Sequence, residues 1–315
     1  MSQPAQTLAT GTRCKVIVPG STANMGPGFD SVGCAVAVRN HFVFEIAPEG
    51  SADGAELSGP GAAGIPTTRD NLALETARGH FERMGLKAPA LRLKAEIDVP
   101  NARGLGSSST AIVAGLVAAN RLLDNPLSTS ELLDVAVEIE GHPDNVAPAL
   151  LGGLVVAAAK STPLSYFHVR VHSSVRFLFI VPDYMVKTSE ARARLPQTIP
   201  YADAIFNSSR SPIVVMSLQN GDLRPLRAAM EDRLHTPYRK PLFRSYDDFE
   251  RAALQAGAAG FCVSGAGPTM LAVCTADSIN SVAEALRHVL ARSGVGGFVK
   301  EIPPDNTGTT VELLN

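Results

Sequence analysis

The chain has 315 residues, 45% of them hydrophobic and 18% charged, with a formal net charge of −2. That is enough for one large or two ordinary domains with a sizeable core. It supplies no basic field for nucleic acid or an anionic membrane surface, so neither partner is expected. Four cysteines, Cys14, Cys34, Cys262 and Cys274, are scattered without paired metal spacing, and read as small buried residues of a reduced, cytoplasmic protein. Residues 1–12 are polar and alanine-rich, unlike a signal peptide or a basic amphipathic leader. The longest apolar runs contain glycine and proline, which suits core elements better than membrane spans.

In chain order, residues 14–18 alternate into a short strand, and 20–33 form a loop too rich in glycine to hold a helix. Residues 34–38 and 41–46 read as the two strands of a hairpin. Residues 48–68 are a glycine-, alanine- and proline-rich excursion without periodicity. A helix is expected over 71–84, with Asp70 as its cap, and a half-buried alternating strand over 91–99. A glycine-serine loop leads into an apolar, alanine-rich helix at 111–123. Ser128 to Glu131 carry a capping signal for a helix running through Ile139. Residues 141–145 interrupt it, 146–151 are a short helical piece and 154–159 a strand. Near Ser161-Thr162-Pro163 the sequence changes character, which divides the chain into 1–160 and 161–315. Beyond it, strands are expected at 167–171, 177–181, 260–264, 270–274 and finally 297–301. Helices are expected at 201–219, 223–230, 247–255 and 278–293, after a basic segment at 187–195.

The most informative stretch is Pro100-Asn101-Ala102-Arg103-Gly104-Leu105-Gly106-Ser107-Ser108-Ser109-Thr110, between strand and helix. Gly104 and Gly106 let the backbone approach a bulky ligand and take positive φ. Ser107, Ser108 and Ser109 supply hydroxyls and cap the helix. The helix's first amides and its dipole then face the loop and form an anion site. The anion is read as a phosphate chain, with the serines within reach of Mg²⁺. An ordinary strand-to-helix turn is the bland alternative, since glycine motifs alone are weak. The spacing is neither that of the common P-loop, because no Lys-Ser/Thr pair follows, nor that of the dinucleotide fingerprint.

Pro-x-x-x-Gly-Leu-Gly-Ser-Ser, from Pro100 to Ser108, resembles the phosphate-binding loop of the GHMP kinases. Ser21-Thr22-Ala23-Asn24-Met25-Gly26-Pro27-Gly28-Phe29-Asp30 resembles their first motif as the homoserine kinases carry it. Gly141-His142-Pro143-Asp144-Asn145-Val146 is similar to the homoserine kinase stretch rather than to that of mevalonate or galactose kinases. Gly265-Ala266-Gly267-Pro268-Thr269 resembles the third superfamily motif. Taken alone, these segments also read blandly, as Asx turns, a polar helix cap, a solvated helix face or surface arginines.

The resemblance covers nearly the whole chain. It implies an α+β, two-domain fold, with an N-terminal ATP-binding half containing a left-handed β-α-β unit and a ferredoxin-like C-terminal half. It implies phosphorylation of the side-chain hydroxyl of L-homoserine by ATP and Mg²⁺, giving O-phospho-L-homoserine for threonine synthesis. Asn71 and residues Pro100, Asn101, Ala102, Arg103, Gly104, Leu105, Gly106, Ser107, Ser108, Ser109 and Thr110 would hold the nucleotide. Glu138 and Ser108 would hold the metal, with Glu140 an open alternative to Glu138. Asn24, Asp30, His142, Asp144, Thr188, Arg192 and Arg239 would hold the substrate. Asn145 and Arg192 would act at the reacting groups. A carboxylate suits the substrate ammonium, and an arginine fork suits its carboxylate. A homodimer is allowed. Two alternatives stay open: a sister kinase acting on mevalonate, a sugar or shikimate, and a non-catalytic sensor that keeps the fold.

Overall fold

A computed structural model describes residues 8–314; of the polar N-terminal stretch, residues 1–7 lie outside the described residues. The first part of the chain contains β1 (Arg13–Ala23), β2 (Val32–Ile46), β3 (Gly54–Ser58), α1 (Leu72–Arg83), β4 (Leu91–Glu96), α2 (Ser107–Leu122), α3 (Thr129–Glu140), α4 (Pro143–Leu151) and β5 (Leu154–Ala157). There follow β6 (Tyr166–Val169), β7 (Arg176–Pro182), α5 (Thr188–Ala193), α6 (Tyr201–Asn220), α7 (Leu226–Ala229), α8 (Thr236–Arg239) and α9 (Tyr246–Gln255). The chain ends with β8 (Gly260–Val263), β9 (Met270–Cys274), α10 (Ile279–Arg292), β10 (Gly297–Glu301) and β11 (Thr310–Leu314).

The first sheet has the order β11-β1-β2-β4-β3, with β5 pairing β2 and β6 pairing β5. β4 shows why it forms. Leu91, Leu93 and Ala95 point into the core while Arg92, Lys94 and Glu96 stay outside, the period of a sheet with one wet face. β3 and β4 are parallel and are joined through α1, a β-α-β unit. α2 is buried along most of its length and packs between this sheet and α1, α3 and α4. Its run of alanine, valine and leucine is what a helix covered on all sides requires.

The second sheet, β10-β7-β9-β8, is antiparallel throughout. α9 lies between β7 and β8 in the chain and α10 between β9 and β10, consistent with a ferredoxin-like half. One face of this sheet packs Ile180, Val263 and Met270 against Phe249, Val282 and Leu286. The other packs Phe177, Phe179 and Val181 against Val214, Leu218 and Leu226, and reaches Leu105, Met25 and Val36 of the first part of the chain. A shared apolar core therefore lies directly beneath the loop at 100–106. All four cysteines are free and buried. Burial pushes Cys14, Cys262 and Cys274 up to about 12.

Several expectations are corrected. The residues 34–38 and 41–46 do not form a hairpin but one strand, β2. Arg39-Asn40 reads locally as a turn, yet the Asn40 amide is buried, accepting from the backbone of Asp98 and Val99 and donating to Thr110. β1 extends through Gly20 to Ala23, past a bulge at Pro19/Gly20. β3 lies inside the excursion at 48–68. β11 follows the strand expected to be last. β6 and β11, from beyond residue 160, both pair into the first sheet. Among the described residues, no helix is long and apolar enough to cross a membrane.

Candidate active site

Six segments meet in a cleft of about 290 Å³ between the two sheets. They are the loop after β1, the loop before α2, the α3–α4 junction, the arm that leads from β7 into α5, Arg239 of α8, and the β8–β9 loop at Gly265–Gly267.

The loop at 100–106 is held by its own carbonyls. Those of Arg103, Gly104 and Leu105 accept from Thr269 N, Ser264 Oγ and Ser21 N. A Cβ on Gly104 would meet the Ser264 carbonyl at 2.3 Å, and one on Gly106 would meet Ser21 Oγ at 2.2 Å. Both glycines have positive φ, at 79° and 72°, so both space and conformation require them. Gly106 itself occupies the N-cap position of α2, without a side-chain cap and with no acid in the first turn. The serines do not cap the helix as expected. They form its first turn, and the helix start stays open and positive toward the cleft.

Other expected nucleotide residues divide. Asn101, Ala102, Arg103, Ser107, Ser108 and Ser109 line the cleft. Leu105 is fully buried in the shared core. Pro100 does not line the cleft, and Thr110 donates to Ser107 O and accepts from Asn40. Asn71 caps α1, accepting from Ala73 N and donating to Pro66 O. It borders a narrow slot of about 30 Å³ beside Ser107 and Ala111 rather than the cleft. Leu72, Ile112 and Ile139 line an open ledge next to Ser108 and Glu140. The Arg103 guanidinium donates to Pro182 O at 2.5 Å and Asp183 O at 2.8 Å.

Glu138 is not brought to the site. Residues two apart on a helix face about 200° apart, and Glu138 lies on the outer face of α3, paired with Arg83 at 2.9 Å. Glu140 lines the cleft instead and accepts from Ser109 Oγ at 3.2 Å and Ser108 Oγ at 3.5 Å. Burial raises its carboxyl above the usual range, against the opposing pull of His142 and the two serines. This group of hard oxygen donors suits Mg²⁺.

Pro143 presets the first turn of α4, which follows His142 at the N-cap position. His142 Nδ1 lies 2.6 Å from buried Asp144. Burial alone would lower this imidazole, but Asp144 and Glu140 hold it above its ordinary value. Polar atoms of Asp30, His142 and Asp144 lie within 4.8 Å of one another. Asn145 accepts from Ser21 Oγ at 2.9 Å, beside Gly106.

On the far wall, Arg192 donates to Asp30 through two nitrogens, at 2.7 and 3.1 Å. Thr188 opens α5 and also lines the cleft. Arg239 is 2% exposed. Its guanidinium donates to the carbonyls of Ala191 at 3.3 Å and Gly265 at 3.4 Å. Burial, and then the nearby Arg192, push it down to about 10. Both arginines lie over the ring of Phe29, at 5.6 and 5.0 Å. Asn24 was expected to touch substrate. It lines the cleft, and its amide accepts from Asp30 N and donates to Gly265 O, which fixes the Asp30 turn.

Among the members of the site that sequence reasoning missed are Ser21, Phe29 and Lys187. Ser21 and Phe29 sit inside the first motif and were masked by its glycines. Lys187 is an exposed cation next to Thr188 that carries no local signal of its own.

Comparison with known proteins agrees with this geometry. Residues 71–153 match the GHMP kinases N terminal domain and 215–292 match the GHMP kinases C terminal family. The fold and the glycine-serine loop are thus those of the GHMP class of kinases. The homoserine kinase of Synechococcus sp. is 42% identical over 301 residues, 95% of this chain and 98% of that one. That of Thermosynechococcus vestitus is 41% identical over 297 residues, covering 94% and 98%. The crystal structure of homoserine kinase from Cytophaga hutchinsonii superimposes with a TM-score of 0.85 at 27% identity, covering 99% of this chain and all of that one. The chain belongs to the homoserine kinase family.

Proposed function

We propose that the protein transfers the γ-phosphoryl group of ATP to the side-chain hydroxyl of L-homoserine, giving O-phospho-L-homoserine. The observation that carries this is Arg239, a buried guanidinium whose hydrogen bonds, among the described residues, are two long ones to carbonyls. Such a cation costs stability unless a ligand anion completes it. The α-carboxylate of an amino acid is a fitting anion, and Arg192 lies close enough to share it. Across the cleft, Asp144 and Asp30 converge on a space suited to an ammonium.

The nucleotide's phosphates rest on the open start of α2, cradled by Gly104, Gly106 and the first-turn serines. The ledge of Leu72, Ile112 and Ile139 supports the nucleoside. Glu140, Ser108 and Ser109 hold Mg²⁺, which neutralises phosphate charge when bound. Asn145, oriented by Ser21, lies between the phosphate loop and the Asp144 carboxylate and positions the reacting hydroxyl. Asp144 is engaged by His142, which suits direct transfer without a strong protein base. Catalysis then rests on positioning and charge neutralisation.

The test is ADP release against a panel of L-homoserine, mevalonate, shikimate and galactose. Homoserine should be turned over at least about a hundredfold more efficiently than the rest, because mevalonate and shikimate carry a carboxylate but no ammonium and galactose carries neither, so each leaves part of a charged site unpaired. A preference for a substrate lacking the amino-acid group would overturn the assignment.

A further inference from the structure

Arg103 sits in the phosphate loop, yet its guanidinium reaches out of the first part of the chain to the end of β7. The two carbonyls it binds, Pro182 and Asp183, are where the second sheet gives way to the arm. That arm carries Lys187, Thr188 and Arg192 into the cleft. Its side chains at Asp183, Met185 and 187–190 are exposed, and Val186 and Ala191 are the buried points at which it packs. Beyond Arg103, Asp183 N donates to Gly296 O, Tyr184 Oη accepts from Arg244 N, the Ala191 carbonyl accepts from Arg239, and Arg192 grips Asp30 at the far end. The phosphate loop, by contrast, is pinned by three successive carbonyls. Arg103 therefore links a fixed element to the base of a largely exposed one.

We propose that Arg103 is a positioning residue that clamps the base of the substrate arm to the phosphate loop. It sets Thr188 and Arg192 at a fixed distance from the transferred phosphoryl group. Its two parallel N–H donors match two successive carbonyls, a geometry that a lysine ammonium cannot reproduce. The assignment rests on the kinase reading for its kinetic consequence but not for its structural one.

The kinetic test compares Arg103→Lys and Arg103→Ala with the wild type. A clamp predicts a homoserine KM raised about tenfold or more, the scale of a lost charge-assisted hydrogen bond, with the ATP KM within about twofold. Lysine should not rescue it. A phosphate ligand predicts the reverse: a raised ATP KM, largely restored by lysine, which keeps the charge. The second readout needs no activity. Trypsin cleavage after Lys187 and Arg194, mapped by mass spectrometry under native conditions, reports how often the arm opens. Cleavage there should quicken about tenfold in Arg103→Lys, while other sites keep their rates. A raised ATP KM or an unaltered arm cleavage rate would overturn the clamp. If the wild type did not phosphorylate homoserine, the cleavage pattern would still decide the role of Arg103, and the failure would belong to the kinase reading alone.

Discussion

Arg192 holds Asp30 through both ends of its guanidinium fork, at 2.7 and 3.1 Å, across the cleft between the two sheets. The sequence suggests separate tasks for these residues, the acid for an ammonium and the arginine for a carboxylate. The structure shows them satisfying each other, with Phe29 beneath the arginine. A zwitterionic substrate inserted here would exchange one internal pair for two new ones.

Asp30→Asn tests that exchange. The pair is part exposed, with side-chain exposures of 37% and 26%, so its loss should lower stability by only about 1 kcal/mol or less. The homoserine KM should rise more than tenfold, because a lost desolvated charge contact costs about 2–5 kcal/mol. Thermal unfolding and steady-state kinetics read the two effects separately. A large stability loss with an unchanged KM would make the pair structural.

The metal assignment is tested by contrasting two glutamates of α3. Glu140→Gln should lower turnover by at least about two orders of magnitude, on the scale of a lost charge-stabilising contact at a transferring phosphoryl group. It should also raise the Mg²⁺ concentration needed for half-maximal activity. Glu138→Gln breaks only the exposed pair with Arg83 and should leave turnover within about twofold, as surface ion pairs are worth little. Magnesium titrations of both variants check this, and equal effects would sink it.

What was legible in the sequence follows from what is local. The strand, loop and helix around Gly104 and Gly106 could be read because alternation, backbone freedom and an apolar helix are written in consecutive residues. The choice between Glu138 and Glu140 was not, because it depends on which face of α3 meets α2. Asn40 misled for the opposite reason. Its local turn preference is overridden by three long-range hydrogen bonds. β11 could not be seen because its residues are mostly exposed, without an apolar period. The contacts of Arg103 span about 80 positions, and no sequence pattern records where a guanidinium ends.

The His142–Asp144 contact predicts a pH dependence. Asp144 and Glu140 hold the imidazole above its ordinary value of 6.5 despite burial. A raised folded-state value means that the pair's stabilisation is complete below about 6.5 and is lost as pH rises through the folded value. The stability difference between the wild type and His142→Gln should therefore be largest near pH 6 and shrink toward pH 8.5 in urea unfolding. Over the same range the homoserine KM should fall as the imidazolium releases Asp144. A stability difference that is flat with pH would contradict the contact's charge assignment.

Arg239 carries the strongest prediction because stability and function should move apart. Its pKa of about 10 against an ordinary 12.5 corresponds to about 3 kcal/mol opposing the charged form. Two long hydrogen bonds to carbonyls and the charges of Asp30, Asp144 and Asp232 offset the lost hydration only in part. Since the folded value is depressed, this cost is fully present below about pH 10 and is relieved only above it. Arg239→Met keeps most of the side-chain volume and removes the buried charge. The variant should unfold at the same temperature as the wild type or a few degrees higher, as when buried ions give way to apolar groups. Its homoserine KM should nevertheless rise by at least about a hundredfold, with the ATP KM little changed. The substrate carboxylate should be the cause. A decarboxylated analogue, 3-aminopropanol, should then bind the wild type and the variant about equally. Differential scanning calorimetry and inhibition by 3-aminopropanol measure the two halves of the claim. A variant that loses several degrees of stability, or that loses affinity for the analogue as much as for homoserine, would show that Arg239 supports the fold rather than the substrate.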